Sequence, residues 1–430
     1  MAVSDRELVS HVVRRLSMGT HPDLVARLDG TQAAIARALD TSGPAVTPLE
    51  LAVPTDAKSA NVVRDVLTMV DWWVQRMHQP DRLVEERMTW FWHDHFATSV
   101  QKVRVPYLVL QQHVMLRQHA LGNFAELLKS VARDPAMLVY LDGITSTATQ
   151  RNENFGRECL ELFTMGRDVG YTQDDVVAAA RAFTGWVVAI PGRPALARVG
   201  APWSAVFIPR RHDQDTKTFL GTTAALDMDG ALDVVLEQPQ TARFVATKLW
   251  RELVGLEPDD HTVDALARDF RRDYEIRPLV EAIAGHDVFT SDAAVRSKFR
   301  SPVEKLVGIV QAVGAPATTN APKARATTRR PNQVIAPARA LRAMSYLPFL
   351  PPNVAGFPKG ARLLGPSNLV HTFDLMQAVD GPPRTDSIDE LTARLGVFDV
   401  SDETRAVLHG ERDPGRRFVL AAASPEYTLT

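Results

Sequence analysis

The sequence predicts a mainly α protein, with a large multi-helix body and a small β-hairpin near residues 186–208. Apolar residues recur at spacings of three, four and seven along most of the chain, which is typical of helices that bury one face. The best strand candidates are Trp186–Ile190 and Ser204–Ile208, and Pro191–Pro194 between them indicates a turn. Hydrophobic content of 45% and charged content of 23% are ordinary for a globular protein that buries a core.

The 430 residues are enough for two or three average domains or one large one. We expect a single helical domain over residues 1–430, because the helical period returns after each interruption. Residues 315–336 are poor in large apolar residues and rich in Ala, Pro, Thr and Arg, so they are predicted to form a mobile loop or linker within it.

Residues 4–99 are predicted to form helices around one loop. Ser4 followed by Glu7 has the spacing of a capping box, which marks the start of the first helix. Residues 41–56 are rich in proline and small residues and are predicted to be a loop. The helical period resumes over residues 57–99.

Residues 90–96 contain four aromatic residues and two histidines, His93 and His95. Such aromatic density predicts burial, so both rings are expected in or beside the core. One interpretation is two core histidines with hydrogen-bonded rings, and the other is a pair of metal ligands. In an unbroken helix the two rings point about 200° apart, so they can share an ion only if the helix ends between them or the segment is extended. Glu86 shares a face with His93 and is a candidate to orient its ring.

Residues 152–166 are predicted to form a helix with two unlike faces. The apolar face carries Phe155, Cys159, Leu162 and Phe163. The opposite face carries Asn154, Arg157, Glu158, Glu161 and Met165. The first interpretation is a solvated face held by Glu153–Arg157 and Arg157–Glu161 ion pairs, each worth roughly 0.2–0.5 kcal/mol. The second is a buried carboxylate cluster that binds a metal or moves protons.

The loop at residues 210–218 mixes basic and acidic residues around His212 and Asp213. It is either a solvated loop or a second contributor to a site, since functional groups concentrate on loops. Gly166 is predicted to end the helix of residues 152–166. Thr172, with Asp175 three residues later, is predicted to cap the helix that follows. From residue 229 the helical period returns, apart from the rigid proline-rich segment Leu350–Pro358, which is expected to pack over another part of the protein. A further helix is predicted over residues 367–379.

Several classes of protein are disfavoured. Cys159 is the single cysteine, which excludes an internal disulfide and a multi-cysteine metal site, and its apolar face indicates a core residue. The chain has no G-x-G-x-x-G, Walker or G-x-S-x-G motif. A net charge of −2 gives no argument for nucleic acid or an anionic membrane as a partner. Without a signal-peptide or membrane-span pattern, a cytoplasmic location is the default expectation.

Taken in order, these motifs resemble the bacterial family catalogued as domain of unknown function 1800. The matching pieces are Glu86–Met88 with Trp90–Phe96, His119 with Gly122–Phe124, Arg133–Met137, Tyr140–Asp142, Asn152–Gly166, Tyr171–Thr172, Ala182–Trp186, His212–Asp213, Lys217–Thr218, Leu220–Gly221, Thr241–Phe244, Lys248–Trp250, Phe299–Glu304, Pro351–Val354, Gly356 and Ser424–Tyr427. Asp94 stands where the family commonly has asparagine. The resemblance spans nearly the whole chain.

The resemblance implies no activity, because none is established for the family. It implies that six charged or ionisable residues belong to the family pattern, namely His93, His95, Glu153, Arg157, Glu158 and Glu161. Many members look exported and are encoded beside a protein that resembles sulfatases and alkaline phosphatases. A sulfatase-like partner is therefore an expectation that comes from the resemblance alone.

The leading hypothesis is an enzyme, a hydrolase or an oxidoreductase, with a polar site between helices. The expected metal ligands are His93, His95, Glu158 and Glu161, and neutral imidazole with carboxylate suits zinc, iron or manganese. The expected catalytic residues are Glu153 as base, Arg157 on a carboxylate or anionic substrate, and His212 with Asp213 from their loop. The first alternative is a metal-free binding or assembly protein, in which the same residues form a buried ion-pair network. The second is a haem or other organic cofactor against the aromatic segment.

Overall fold

The computed structural model describes residues 3–193, 195, 198–314, 337–365, 370, 372–373, 383 and 385–430. The linker predicted over residues 315–336 lies outside these ranges, as does most of the helix predicted over residues 367–379.

Helices dominate the described part of the chain, which confirms the mainly α prediction. The first half forms α1 Asp5–Arg15, α2 Pro22–Val25, α3 Gly30–Leu39, α4 Val62–His78, α5 Leu83–His95, α6 Val100–Val103, α7 Pro106–Gln118, α8 Phe124–Ala132, α9 Pro135–Tyr140, α10 Glu153–Glu158 and α11 Gln173–Ala182. The second half forms α12 Met228–Glu237, α13 Pro239–Leu253, α14 Asp260–Phe270, α15 Ile276–Ala284, α16 Pro302–Val313, α17 Pro337–Ala343, α18 Ile388–Arg394, α19 Asp402–Gly410, α20 Pro414–Ala423 and α21 Pro425–Thr428. A π-helical turn, Cys159–Thr164, continues α10. Short 3-10 turns lie at Gly143–Thr145, Pro209–Arg211, Asp287–Thr290 and Gly360–Leu364.

Two small hairpins interrupt the helices. Strands β1 Trp186–Val188 and β2 Ala205–Phe207 pair antiparallel, which confirms the hairpin predicted near residues 186–208. Strands β3 Lys217–Phe219 and β4 Thr222–Ala224 form a second antiparallel pair that the sequence pattern did not predict. Its turn residues Leu220 and Gly221 both have positive φ, 48° and 83°, as the tightest hairpin turns require.

The two predicted caps turn out differently. Thr172 and Asp175 form a complete capping box at the start of α11. Ser4 caps α1 by accepting the Glu7 backbone N–H at 3.3 Å, but the reciprocal bond of a capping box is absent there. The Glu7 carboxylate instead pairs with Arg14 at 2.8 Å and accepts the Phe398 backbone N–H at 2.8 Å. A distant partner has therefore replaced the local one.

Buried apolar side chains form one contiguous cluster from Val9 in α1 to Tyr427 in α21. An isolated backbone bridge between Phe299 and Leu429 ties the last residues to the segment before α16. This packing supports the expectation of one helical domain, which stays a prediction. Within the described ranges, no helix has both the length and the apolarity needed to cross a membrane.

Candidate functional site

Helix α5 runs through the core, and each of its residues from Leu83 to His95 is buried. It carries charged and polar side chains among its aromatic ones. Because a buried polar group is costly without a partner, each of these side chains needs a specific contact. The contacts of α5 therefore define the surroundings of the predicted histidine site.

His93 is a neutral core histidine. Its Nε2 accepts the backbone N–H of Phe349 at 3.1 Å, and its ring packs against Trp73 and Phe349. Burial lowers the pKa of His93 to about 4, with the charge of Asp94 opposing the shift. The ring is thus uncharged near neutral pH and anchors the segment before the proline-rich loop.

His95 lies on the opposite side of α5 and contacts the π-helical turn. Its Nε2 is 3.0 Å from the carbonyl oxygen of Phe163, so the neutral ring donates its proton there. Burial and the positive charge of Lys248 hold the pKa of His95 well below its ordinary value. Its Nδ1 is buried and has no partner among the described residues.

Glu86 does not orient the His93 ring, so that prediction was wrong. Its carboxylate binds Arg76 at 2.9 Å and Arg117 at 2.8 Å, and it accepts the indole N–H of Trp73 at 3.1 Å. Two guanidinium groups compete for this carboxylate more strongly than a neutral imidazole does.

Asp94, between the two histidines, holds the proline-rich loop on α5. Its Oδ1 accepts the backbone N–H of Phe357 at 2.7 Å, and its Oδ2 lies 2.6 Å from Nζ of Lys359. The loop approaches so closely that a Cβ at Gly356 would lie within clash distance of Asp94 Oδ1. The expected packing of the loop over another element is confirmed, and that element is α5.

Beside this contact lies a cavity of about 510 Å³ between α5, α13, the start of α16 and the proline-rich loop. Its lining residues are Trp90, Lys248, Arg251, Glu252, Gly255, Leu256, Glu257, Ser297, Lys298, Phe299, Ser301, Glu304, Tyr346, Pro358, Lys359, Gly360 and Leu363. Clefts of about 300–1,000 Å³ are typical of small-molecule sites. We call it the α5–α13 cavity.

Most charges on the wall of the α5–α13 cavity are already neutralised by neighbours. Arg87 of α5 bridges Glu252 at 3.1 Å and Glu304 at 2.7 Å, and Lys298 lies 2.5 Å from Glu252. Although burial alone would raise the pKa of Glu304, the charges of Arg87 and Lys298 hold it well below its usual range. These four side chains form a buried ion-pair network behind the cavity.

Three polar side chains on the wall have no hydrogen-bond or ion-pair partner in the described part of the chain: Lys248, Tyr346 and Trp90. Lys248 is half-buried, and its Nζ lies 5.2 Å from the centroid of the Phe244 ring. Burial, assisted by the charge of Lys359, lowers the pKa of Lys248 to about 7. Burial also raises the pKa of Tyr346 well above its ordinary value, so its hydroxyl keeps its proton.

The predicted ion pairs on α10 are both present. Arg157 lies 3.3 Å from Glu153 and 3.7 Å from Glu161, which also pairs with Arg167 at 3.2 Å. Glu158 is half-buried, and burial and then the charge of Glu161 raise its pKa. Both ion pairs that the solvated-face interpretation predicts are therefore present, and the choice between this interpretation and a carboxylate site stays open.

The π-helical turn changes the face of the residues after Glu158. The backbone N–H of Met165 bonds to the carbonyl of Leu160, five residues back, and Met165 is buried rather than on the polar face. A π turn inserts one residue into the helical repeat, so the α-helical face assignment fails beyond it.

The predicted metal ligands are not brought together. Helix α5 continues through His95, so the condition for His93 and His95 to share an ion is unmet. Among the residues that the structure describes, no three His, Cys, Asp or Glu side chains are arranged to hold a metal ion. Since the donors do not converge, the assignment of His93, His95, Glu158 and Glu161 as ligands stays a prediction and carries no step of a mechanism.

His212 and Asp213 form a local network instead of reaching the α5–α13 cavity. His212 Nδ1 lies 3.1 Å from the carbonyl oxygen of Thr184. Asp213 is buried and receives Arg181 at 2.8 and 3.1 Å, while Lys217 donates to its backbone carbonyl at 2.6 Å. For Asp213 the solvated-loop interpretation was wrong, because this network fastens β3 to the end of α11.

Sequence reasoning missed the lining of the α5–α13 cavity. The available signal was on α13, where Lys248 falls within the apolar stripe of Val245 and Leu249, and Glu252 follows one turn later. A lysine within an apolar stripe is unusual, since lysine is almost never buried without a partner. Nothing in the local sequence around Trp90 or Tyr346 indicates that these two side chains line the same cavity.

The fold and the cavity place the chain in a class of protein: mainly α, with a polar cavity of small-molecule size between helices. The family model described as protein of unknown function (DUF1800) matches residues 11–429, and the chain belongs to this family. The resemblance drawn from the motifs is thereby confirmed. No significant match was found among the curated proteins or among the solved structures.

Proposed function

We propose that the protein is an enzyme whose substrate is a small molecule with acceptor oxygens, bound in the α5–α13 cavity. The observation that carries this is the set of three groups without partners in the described chain, Lys248, Tyr346 and Trp90, on a wall whose other charges are paired. Tyr346 O–H and Trp90 N–H are donors, so a complementary ligand supplies acceptors. An amine with a pKa of about 7 suits proton transfer near neutral pH.

Aromatic rings form one side of the site. The rings of Trp90 and Tyr346 stack with centroids 6.2 Å apart, and Phe357 of the proline-rich loop stacks on Trp90 at 5.5 Å. An apolar wall strengthens each polar contact in the cavity, because the local dielectric is lower than in water. The ligand is therefore expected to lie between these rings and Lys248.

Binding tests the proposal. Calorimetric titration with acetate, pyruvate and inorganic phosphate should give a binding signal for at least one of them. Lys248→Met and Tyr346→Phe should each weaken that binding at least about tenfold, as expected for a lost hydrogen bond to a charged group. Arg251→Met is the matched control, because Arg251 lines the same cavity but is paired with Glu257 at 2.7 Å. Equal binding by all variants would overturn the proposal.

A second candidate is the metal-free binding or assembly protein. The observation in its favour is the buried network of Arg87, Glu252, Glu304 and Lys298, which joins α5, α13 and α16. Buried ion pairs of this kind fix the register of helices in some proteins. In that case the network variants lose stability and none of the small molecules binds.

Other expectations from the sequence carry over as predictions. These are the hydrolase or oxidoreductase class, the metal, the organic cofactor, the sulfatase-like partner and the cytoplasmic location. Glu153, Arg157, His212 and Asp213 stay predicted catalytic residues, although the contacts described above engage each of them with neighbouring protein groups.

A further inference from the structure

We propose that Lys248 is a nucleophile that forms an imine with a small aldehyde or ketone bound in the α5–α13 cavity. This rests on the proposed function and names its substrate class: a carbonyl compound whose oxygen is the acceptor that Tyr346 and Trp90 lack among the described residues. Two features of the cavity support it, namely the surroundings of the amine and the donors available to the carbonyl oxygen.

Lys248 lacks the feature that keeps a lysine protonated. The two other ammonium groups on the wall each have a carboxylate, Lys298 with Glu252 at 2.5 Å and Lys359 with Asp94 at 2.6 Å. In the described residues no carboxylate lies within ion-pair distance of Lys248. Desolvation and a neighbouring cation are two ways in which proteins make a lysine amine nucleophilic. Burial and the charges of Lys359 and Arg251 lower the pKa of Lys248, while the charge of Asp94 opposes them.

Imine formation also needs a hydrogen-bond donor for the carbonyl oxygen of the substrate. The hydroxyl of Tyr346 and the indole N–H of Trp90 line the same cavity and have no acceptor within the described ranges. Glu252 and Glu304 cannot serve as donors, because neighbouring cations keep both carboxyl groups ionised although burial opposes it. Tyr346 is therefore the group placed to protonate or polarise the oxygen.

Formation of the imine between Lys248 and the carbonyl compound needs no added co-reactant. The lone pair of Lys248 Nζ forms a bond to the carbonyl carbon, and the carbonyl oxygen takes up a proton to give a carbinolamine. The amine nitrogen then releases a proton, the hydroxyl leaves as water after taking up a second proton, and the carbon–nitrogen double bond forms. Tyr346 donates the first of these protons and regains it from the amine nitrogen, and the second proton comes from the solvent, so the products are the protonated imine and one molecule of water.

Reductive trapping tests the inference. Wild-type protein is mixed with pyruvate at pH 7, sodium borohydride is added, and peptides are examined by mass spectrometry. One reduced pyruvate adduct on Lys248 is expected, with a yield that rises through pH 7. Lys248→Arg should give no adduct, and Tyr346→Phe should slow its formation at least about tenfold, as for other lost oxyanion donors. Propanal replaces pyruvate in a parallel arm to cover neutral carbonyl compounds.

Lys305 is the discriminating control. Burial lowers its pKa to about 8, but it is not part of the cavity wall. An adduct on Lys305 rather than Lys248, or adducts spread over surface lysines, overturns the inference. Binding of pyruvate to the wild type without any trapped adduct also overturns it but leaves the proposed function standing, whereas absence of both binding and adduct for all probes refutes the two together.

Discussion

At the scale of single residues, the fate of each buried polar group depends on the partner it finds. His93 accepts a backbone N–H and His95 donates to a carbonyl, so both stay neutral in the core. Asp94 between them is ion-paired with Lys359 and fastens the proline-rich loop. One turn of helix thus contains two histidines that contact backbone groups and one aspartate that anchors a loop, and only the tertiary contacts distinguish them.

Asp134 provides a prediction on pH dependence. Its Oδ1 accepts the Met137 backbone N–H and the Gln112 side chain, both at 2.8 Å, and burial raises its pKa to about 7. A raised folded-state pKa means that its contribution to stability is complete below about pH 4 and is lost as the pH rises through 7. Asp134→Asn keeps the acceptor without the charge, so its stability relative to wild type should increase from pH 4 to pH 8.

The size of this effect has an upper bound of roughly 4 kcal/mol, since one pKa unit corresponds to about 1.4 kcal/mol. Urea unfolding of both proteins at several pH values measures it. Asp402→Asn, at an exposed position, is the control that should show no such trend. A stability difference that does not change with pH would mean that Asp134 is ionised in the folded protein throughout.

Arg87 provides a prediction on charge burial. Arg87→Met keeps the packing of the side-chain stem but leaves Glu252 and Glu304 with less compensation. We expect a loss of about 3–5 kcal/mol in the free energy of unfolding, as when one partner of a buried ion pair is removed. Arg272→Met removes an exposed pair with Asp269 and should change stability by less than about 0.5 kcal/mol. A loss below about 1 kcal/mol for Arg87→Met would contradict a tightly coupled network.

At the scale of elements, α10 packs closely against α11 and continues into a π-helical turn instead of a regular α-helix. Gly156 lies where α10 crosses α11, and a Cβ there would be 3.0 Å from the backbone nitrogen of Ala180 and 3.1 Å from the carbonyl oxygen of Val176. The glycine therefore serves close helix contact rather than an unusual backbone angle. The π-helical turn that follows keeps Phe163 in position to accept from His95.

Gly156→Ala should push α10 and α11 apart and lower the free energy of unfolding by about 1–3 kcal/mol, as overpacking does. Gly410 is the matched control, because it is a helical glycine whose Cβ position has 4 Å of free space around it in the described part of the protein. Gly410→Ala should be neutral or stabilise by up to about 1 kcal/mol, since alanine favours the helix. Thermal unfolding of both variants measures the difference, and equal effects would show that the crossing has room to spare.

At the scale of the whole molecule, the described core holds several histidines in the neutral state. Burial lowers the pKa of each of His11, His21, His93, His95 and His113. These rings are distributed over α1, α5, α7 and the turn before α2. Protonation of the chain is therefore coupled to unfolding of the entire core rather than to opening of one site.

A pH series should show this coupling. The unfolded histidines take up protons as the pH falls below about 6.5, whereas the folded rings resist, so stability is complete above that pH and is lost between about 6.5 and 4. Urea midpoints from about pH 7.5 to about pH 5 should fall with a slope that corresponds to uptake of more than one proton. His93→Gln keeps an acceptor for Phe349 and should reduce the slope by up to one proton. A flat profile over this interval would refute the account.

The sequence determined the local features of this protein. The helical period predicted the mainly α fold, and the alternation near residues 186–208 predicted the first hairpin. The ion pairs of Arg157 with Glu153 and Glu161 follow from a four-residue spacing. The order of motifs over the chain indicated the family. Each of these depends on residues close together in the chain, or on a pattern that needs no contact.

Only the tertiary structure decided which buried groups meet. Lys248 and Trp90 come from two helices and Tyr346 from a distant loop, and the spacing within each segment says nothing about the others. The helical period shows that Glu86 and His93 share a face, but Arg76 and Arg117 take the carboxylate because they lie nearer in space and carry full charges. Periodicity reveals which face of a helix is buried, whereas the partner on that face depends on how distant segments pack.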